Sequence, residues 1–273
     1  MTTQEITTSQ HQPPAIATDS AIGLSGEFGQ QDMTIPICSL VQPMSQDKGE
    51  EGRFWFPDGR SVEELHVAVL DIVATRALWG PVDSGIGAPI CRSVDRKEGI
   101  TNYGAFIEKG GDVMKLAAQQ GDAMYVPCSD CRFGPSATSF EKIDGLWCPY
   151  GYTLLLCDAE NREAFLYFVK GAQMKSVKQR IVSPTLMRWN RTGKAEPWVT
   201  AYQLTPRLVE EKEKKRKYWV ADIQPVAEFG EAERQELMEL AMALRGRAIE
   251  QMEEEDFAAA MSGDGDQGAL LQS

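Results

Sequence analysis

Apolar positions in this chain fall mostly in short runs that alternate or stay continuous over 4–8 residues, the spacing of strands rather than helices. Ile35-Pro36-Ile37-Cys38-Ser39-Leu40-Val41 is the first such run, and Arg53-Phe54-Trp55-Phe56, ending on the turn signal Pro57-Asp58-Gly59, is the next. The stretch from Glu64 to Trp79 is β-branched and partly alternating, and reads as a long bent strand in preference to a helix. Tyr152–Cys157 and Ala164–Val169, separated by Asp158-Ala159-Glu160-Asn161, predict a hairpin. Gln173–Ile181 reads as a short helix stopped by Ser183-Pro184. Pro197–Val209 and Lys217–Val226 predict a second hairpin with a charged tip between them. Only Glu231–Phe257 carries a long helical period, with Leu237, Leu240, Ala241, Leu244 and Ile249 on one face.

This pattern predicts a β-rich α+β fold: an OB-like barrel with a Cys-rich irregular insert and a long C-terminal helix. The expected organisation is a disordered arm (1–34), an OB-like nucleic-acid-binding core (35–226, with the insert at 80–150), the C-terminal helix (227–258) and an acidic disordered tail (259–273). The 273 residues suffice for one large domain or two small ones. No run approaches the ~20 apolar residues of a membrane span, and the polar start lacks a secretory signal. A cytoplasmic protein is therefore expected.

The net charge of −12 argues at first against a polyanionic partner. Its distribution changes that. Residues 1–50 carry −5, 51–220 carry +3, and 221–273 carry −10. Within the middle block, Phe168 to Lys217 holds 13 basic residues against four acids. Charge acts within a screening length of about 10 Å, so a local basic stretch is compatible with an acidic whole.

Six cysteines occupy positions 38, 91, 128, 131, 148 and 157. Cys38 and Cys157 sit inside apolar strands and read as core residues. Cys128 and Cys131 form a C-x2-C knuckle, with Cys148 after it and Cys91 before it. Four thiolates at such spacings suit one tetrahedral structural zinc ion, and a binding energy of roughly 10 kcal/mol would order an insert with little core of its own. Unliganded thiols are the alternative. A zinc deaminase would need H-x-E beside Pro127-Cys128-x2-Cys131, and His66-Val67-Ala68 lacks the Glu. Trp147-Cys148-Pro149-Tyr150-Gly151 resembles a glutaredoxin loop without its second Cys. There is no Walker loop, no G-x-G-x-x-G and no G-x-S-x-G, and two histidines offer little for general-base chemistry. No enzyme is expected, although a carboxylate-based, metal-dependent nuclease is a third reading.

Single-strand binding needs aromatic platforms for bases and cations for phosphates. The basic stretch interleaves them. Lys170, Lys175, Lys178 and Arg180 precede Arg188, Trp189 and Arg191, and Lys194, Trp198, Tyr202 and Arg207 follow, with Lys214 at the hairpin tip. Trp189, between Arg188 and Arg191 in a segment read as a loop, is the leading stacking candidate.

The chain resembles phage-type single-stranded-DNA-binding proteins with an OB-like core. The resemblance is carried by the strand Leu65–Trp79, Cys91-Arg92-Ser93-Val94-Asp95, the Cys128-x2-Cys131 knuckle, Cys148-Pro149, the hairpin Leu154–Val169 and the helix with Lys175-Ser176-Val177-Lys178. It spans about Ile35 to Val226 as a pattern of spacings. It implies binding of exposed single-stranded DNA during replication or recombination of a phage or mobile element, a zinc-stabilised insert, and partner proteins recruited by an acidic tail. This tail departs from the pattern by ending Leu270-Leu271-Gln272-Ser273 rather than in an aromatic tip. The expected partners are single-stranded nucleic acid (DNA favoured), replication or recombination proteins, and further copies of the chain. A competing expectation is a scaffold module of such a machine, docking through its C-terminal helix.

Overall fold

A computed structural model of the chain describes residues 34–43, 49–78, 91–102, 118–120, 123–129, 131, 148–211 and 216–262, with backbone only at 101–102, 118–120, 123–124 and 253–262. The described residues from 35 onward form one compact unit. The arm, much of the insert, the tip at 212–215 with Lys214, and the tail from 263 lie outside the described residues.

Twelve strands join in one mixed sheet: β1 (Ile37–Leu40), β2 (Phe54–Trp55), β3 (Ser61–Val62), β4 (Leu65–Leu78), β5 (Cys91–Ser93), β6 (Glu98–Asn102), β7 (Ala118–Gln120), β8 (Ala123–Pro127), β9 (Tyr150–Asp158), β10 (Ala164–Val169), β11 (Thr200–Glu211) and β12 (Arg216–Glu228). Their order is β3-β2-β1-β10-β9-β4-β5-β6-β8-β7, and β11 joins β4 and β12 off this path. Among the described residues only β1 and β10 run parallel.

β4 organises the sheet. One edge pairs with β9 along most of its length, while the other pairs with β11 at Leu65–Ala68 and with β5 at Arg76–Leu78. Its sequence changes parity halfway. Leu65, Val67 and Val69 face the first core cluster, and Ile72 and Ala74 continue that face. The register break between Val69 and Asp71 absorbs the extra residue, as a bulge does. β9 is apolar on both sides: Tyr152, Leu154 and Leu156 enter the first cluster, Leu155 and Cys157 the second. A strand buried on both faces is central, and β9 accordingly lies between β4 and β10.

The first cluster lies where the sheet curls on itself. Beyond β1, the Gln42 side chain accepts the Trp219 N–H at 2.9 Å and donates to the Trp219 carbonyl at 3.0 Å. One side-chain amide thus links the β1 segment to β12 without a strand ladder. The Trp219 ring fits because Gly52 (φ +73°) has no side chain: a Cβ there would lie 2.7 Å from the indole. The sheet as a whole is not closed by strand pairing.

Helices cover both faces. α1 (Gln173–Val177) and a π turn (Lys178–Val182) bury Val177 and Ile181 in the first cluster, and α2 (Ser183–Thr192) continues them. The expected stop at Ser183-Pro184 is therefore corrected. Pro184 has no N–H to offer the preceding turn, and the helix passes through it by widening, with Ser183 N–H bonding the Lys178 carbonyl. It ends at Gly193, which is left-handed at φ +74°. α3 (Glu231–Ser262) covers the second cluster with Leu237, Ala241, Leu244, Ala248 and Met252. Glu233 accepts the Gly230 N–H at its start, an N-terminal cap.

The insert is less irregular than its sequence suggests, since β5, β6, β7 and β8 extend the sheet through it. No helix among the described residues is long and apolar enough to cross a membrane.

Candidate nucleic-acid interface

The α1–π–α2 helix turns Val177, Ile181 and Thr185 inward and leaves Lys175, Lys178, Arg180 and Arg191 exposed; Lys194 follows just beyond it. From 173 to 194 there is no acidic residue. No salt bridge forms to any of those five cations among the described residues. Trp189 stands between them, 51% exposed, beside Leu186 (48%) and Met187 (71%). Leu186 and Trp189, three positions apart, share one side of the helix as an exposed apolar pair, and Met187 opens onto the neighbouring side.

The structure separates the predicted site residues. Lys175, Lys178, Arg180, Trp189, Arg191 and Lys194 belong to this one exposed helix and its end. Trp189 is helical, a correction to its expected loop, and it remains accessible because it lies a turn beyond Thr185, the last residue of its helix to be buried. Lys170 is exposed at the end of β10, and Arg207 is exposed on β11. Three residues have other duties. Tyr202 is 3% exposed within the first cluster, so its ring is not available for stacking. Trp198 packs partly buried against the second cluster. Arg188 donates to the Glu196 carbonyl at 3.0 Å and sits 3.8 Å from Glu228, holding the helix end to the start of β11 and the end of β12. Sequence reading passed over Leu186 and Met187. Their signal was two apolar residues off the row of Val177, Ile181 and Thr185, invisible while the helix was expected to end before them.

The insert cysteines cluster against a buried arginine. Cys91 starts β5 opposite Leu78, and its Sγ lies where Gly99 has no Cβ: one built there would be 2.5 Å from the sulfur. Ser93, on the same side of β5, hydrogen-bonds Cys128, which follows β8 and anchors to the Lys97 carbonyl at 2.7 Å. Burial pushes the Cys148 thiol up to about 12 and raises Cys128, against the opposing pull of the Arg76 guanidinium; the Cys131 and Cys128 thiols near Cys148 add to its rise. Arg76 stacks on Tyr150 at 4.3 Å. Arg96, held at φ +64° in a turn where Asp95 accepts the Lys97 and Glu98 N–H groups, reaches Tyr150 and Tyr152 from the insert. None of the six cysteines is in a disulfide. Among the described residues no group of three or more His, Cys, Asp or Glu is placed to hold a metal ion, so the arrangement gives the expected zinc site no support. The β4–β5 ladder joins the insert to β4, and thiol packing, Arg76 and Arg96, which donates to the Thr75 and Gly151 carbonyls, add to the join with β4 and β9.

No family model, curated protein or solved structure matches this chain.

Proposed function

We propose that the chain binds single-stranded nucleic acid, DNA in the first instance, on the exposed face of the α1–π–α2 helix, and catalyses no reaction. The observation that carries this reading is Trp189: a half-exposed indole on a helix where four exposed cations, with Lys194 just beyond its end, have no acidic partner among the described residues. An indole offers a π-face to any base, and lysine and arginine neutralise the backbone on either side.

The strand connectivity supports the OB-like reading. β4, β9 and β10 run consecutively in the sheet, the α1–π–α2 helix follows, and β11 returns to pair with β4 before β12. OB proteins commonly bind oligonucleotides on the outer sheet face. Here that face carries Ala68, Leu70, Leu155 and Leu166 under α3, which favours the helix as the site. The scaffold reading relies on an apolar stripe of α3, and most of that stripe is spent on the sheet.

The test is fluorescence anisotropy of a labelled oligo-dT against salt. Five phosphate contacts predict a log–log slope of about −3.5 for a single strand. Absence of binding at low salt overturns the proposal.

A further inference from the structure

We propose that the same helix face is a self-association surface: α2 of one copy docks on the outer face of α3 of a second copy, and nucleic acid competes for it. The competition rests on the reading above; the self-association does not.

The two surfaces complement each other in charge and in apolar content. Residues 173–194 carry six basic and no acidic residues, whereas Glu231–Ser262 carries nine acidic and three basic. On α3, the residues turned away from the sheet include Glu239, Met242, Ala243, Gly246 and Glu250, spaced as one stripe along the helix. Met242 is 67% exposed, and nothing lies within 4 Å of a Cβ built on Gly246. An apolar centre flanked by carboxylates thus matches Leu186 and Trp189, which share one side of α2, with Met187 and Arg191 on the neighbouring side and Lys194 beyond the helix end. The occupant is a second copy rather than the chain's own helix, because the two helices are anchored on opposite faces of the sheet: Val177 and Ile181 in the first cluster, Leu237 and Leu244 in the second. Joining different patches of identical subunits is head-to-tail, so the contact propagates into open chains unless its rotation closes a ring. One helix pair buries less than a standard interface, which places the association among weak, salt-sensitive ones.

Sedimentation velocity of the full chain across a concentration series decides it, with Trp189→Ala and Met242→Lys alongside. Both positions are exposed, so circular dichroism should show both variants folded. The expected result is a mean mass that rises with concentration at low salt and falls at high salt. Both variants should stay monomeric, and Met242→Lys should bind oligo-dT within about twofold of the unmodified chain. A monomer at every concentration, or association unchanged in both variants, overturns the proposal. Saturating oligo-dT should disperse the assemblies; oligonucleotide that binds without dispersing them overturns the competition. If association is lost in both variants while the unmodified chain binds no oligonucleotide, self-association stands and the nucleic-acid reading falls.

Discussion

Gln251 on α3 holds the Ile35 peptide by both of its polar groups. Its Oε1 accepts the Ile35 N–H at 2.7 Å, and its Nε2 donates to the Ile35 carbonyl at 2.9 Å. The two residues are 216 positions apart, and both are buried. Gln42 treats Trp219 in the same way. Two side-chain amides therefore act as strand neighbours on either side of β1, a short strand with one parallel partner.

Gln251→Ala leaves a buried N–H and a buried carbonyl without those partners, each at a cost of about 1–3 kcal/mol. Urea denaturation should show a loss of roughly 2–4 kcal/mol with an unchanged m-value. A loss below about 0.5 kcal/mol would show that water or another group replaces the amide.

Trp189 and Tyr202 should part company. Trp189→Ala is expected to weaken oligonucleotide binding by about 1–3 kcal/mol while changing stability by less than about 0.5 kcal/mol, as exposed substitutions do. Tyr202→Ala removes a buried ring and should cost about 3–5 kcal/mol of stability, with the remaining folded protein binding normally. Anisotropy and denaturation on the same samples separate the two roles.

Gly52→Ala places a methyl group against the Trp219 indole at a left-handed backbone position. Destabilisation above about 1 kcal/mol is expected, read as a lower Tm. Gly59, also left-handed but with no atom within 4 Å of a Cβ, should cost less when changed to Ala.

Burial pushes the Cys148 thiol up to about 12 and the Cys157 thiol up to about 11. Both are raised, so the folded state holds these protons more tightly than the unfolded chain. Their contribution to stability is complete below the ordinary thiol range near 9 and is lost as pH climbs through 11 and 12. Denaturation midpoints should fall across that window. At pH about 8 iodoacetamide should label Cys157 far more slowly than it labels free cysteine, because the thiolate is the nucleophile. Labelling at the free-thiol rate in folded protein would contradict the burial described.

The hairpins were legible because their signals are local: alternation from Tyr152 to Val169, a four-residue Asp-led turn, and a charged tip between β11 and β12. The long C-terminal helix was legible from the spacing of Leu237, Leu240, Ala241 and Leu244. The extent of the Gln173 helix was not. A proline usually ends a helix, and here burial of Ile181 and Thr185 holds the chain helical through Pro184 by means of a π turn. That packing alone turned Trp189 from a loop residue into one on an exposed helical face.

By itself, the sequence determined which segments pair or coil, and it concentrated positive charge between Phe168 and Lys217. Only the tertiary structure decided which members of that stretch are usable. Tyr202 and Trp189 are both aromatic residues in the same basic stretch. Strand parity turns Tyr202 into the first cluster beside Val67, whereas Trp189 stays half-exposed because it lies a turn beyond Thr185, the last residue of its helix to be buried. Both outcomes are set by packing against residues far away in the chain.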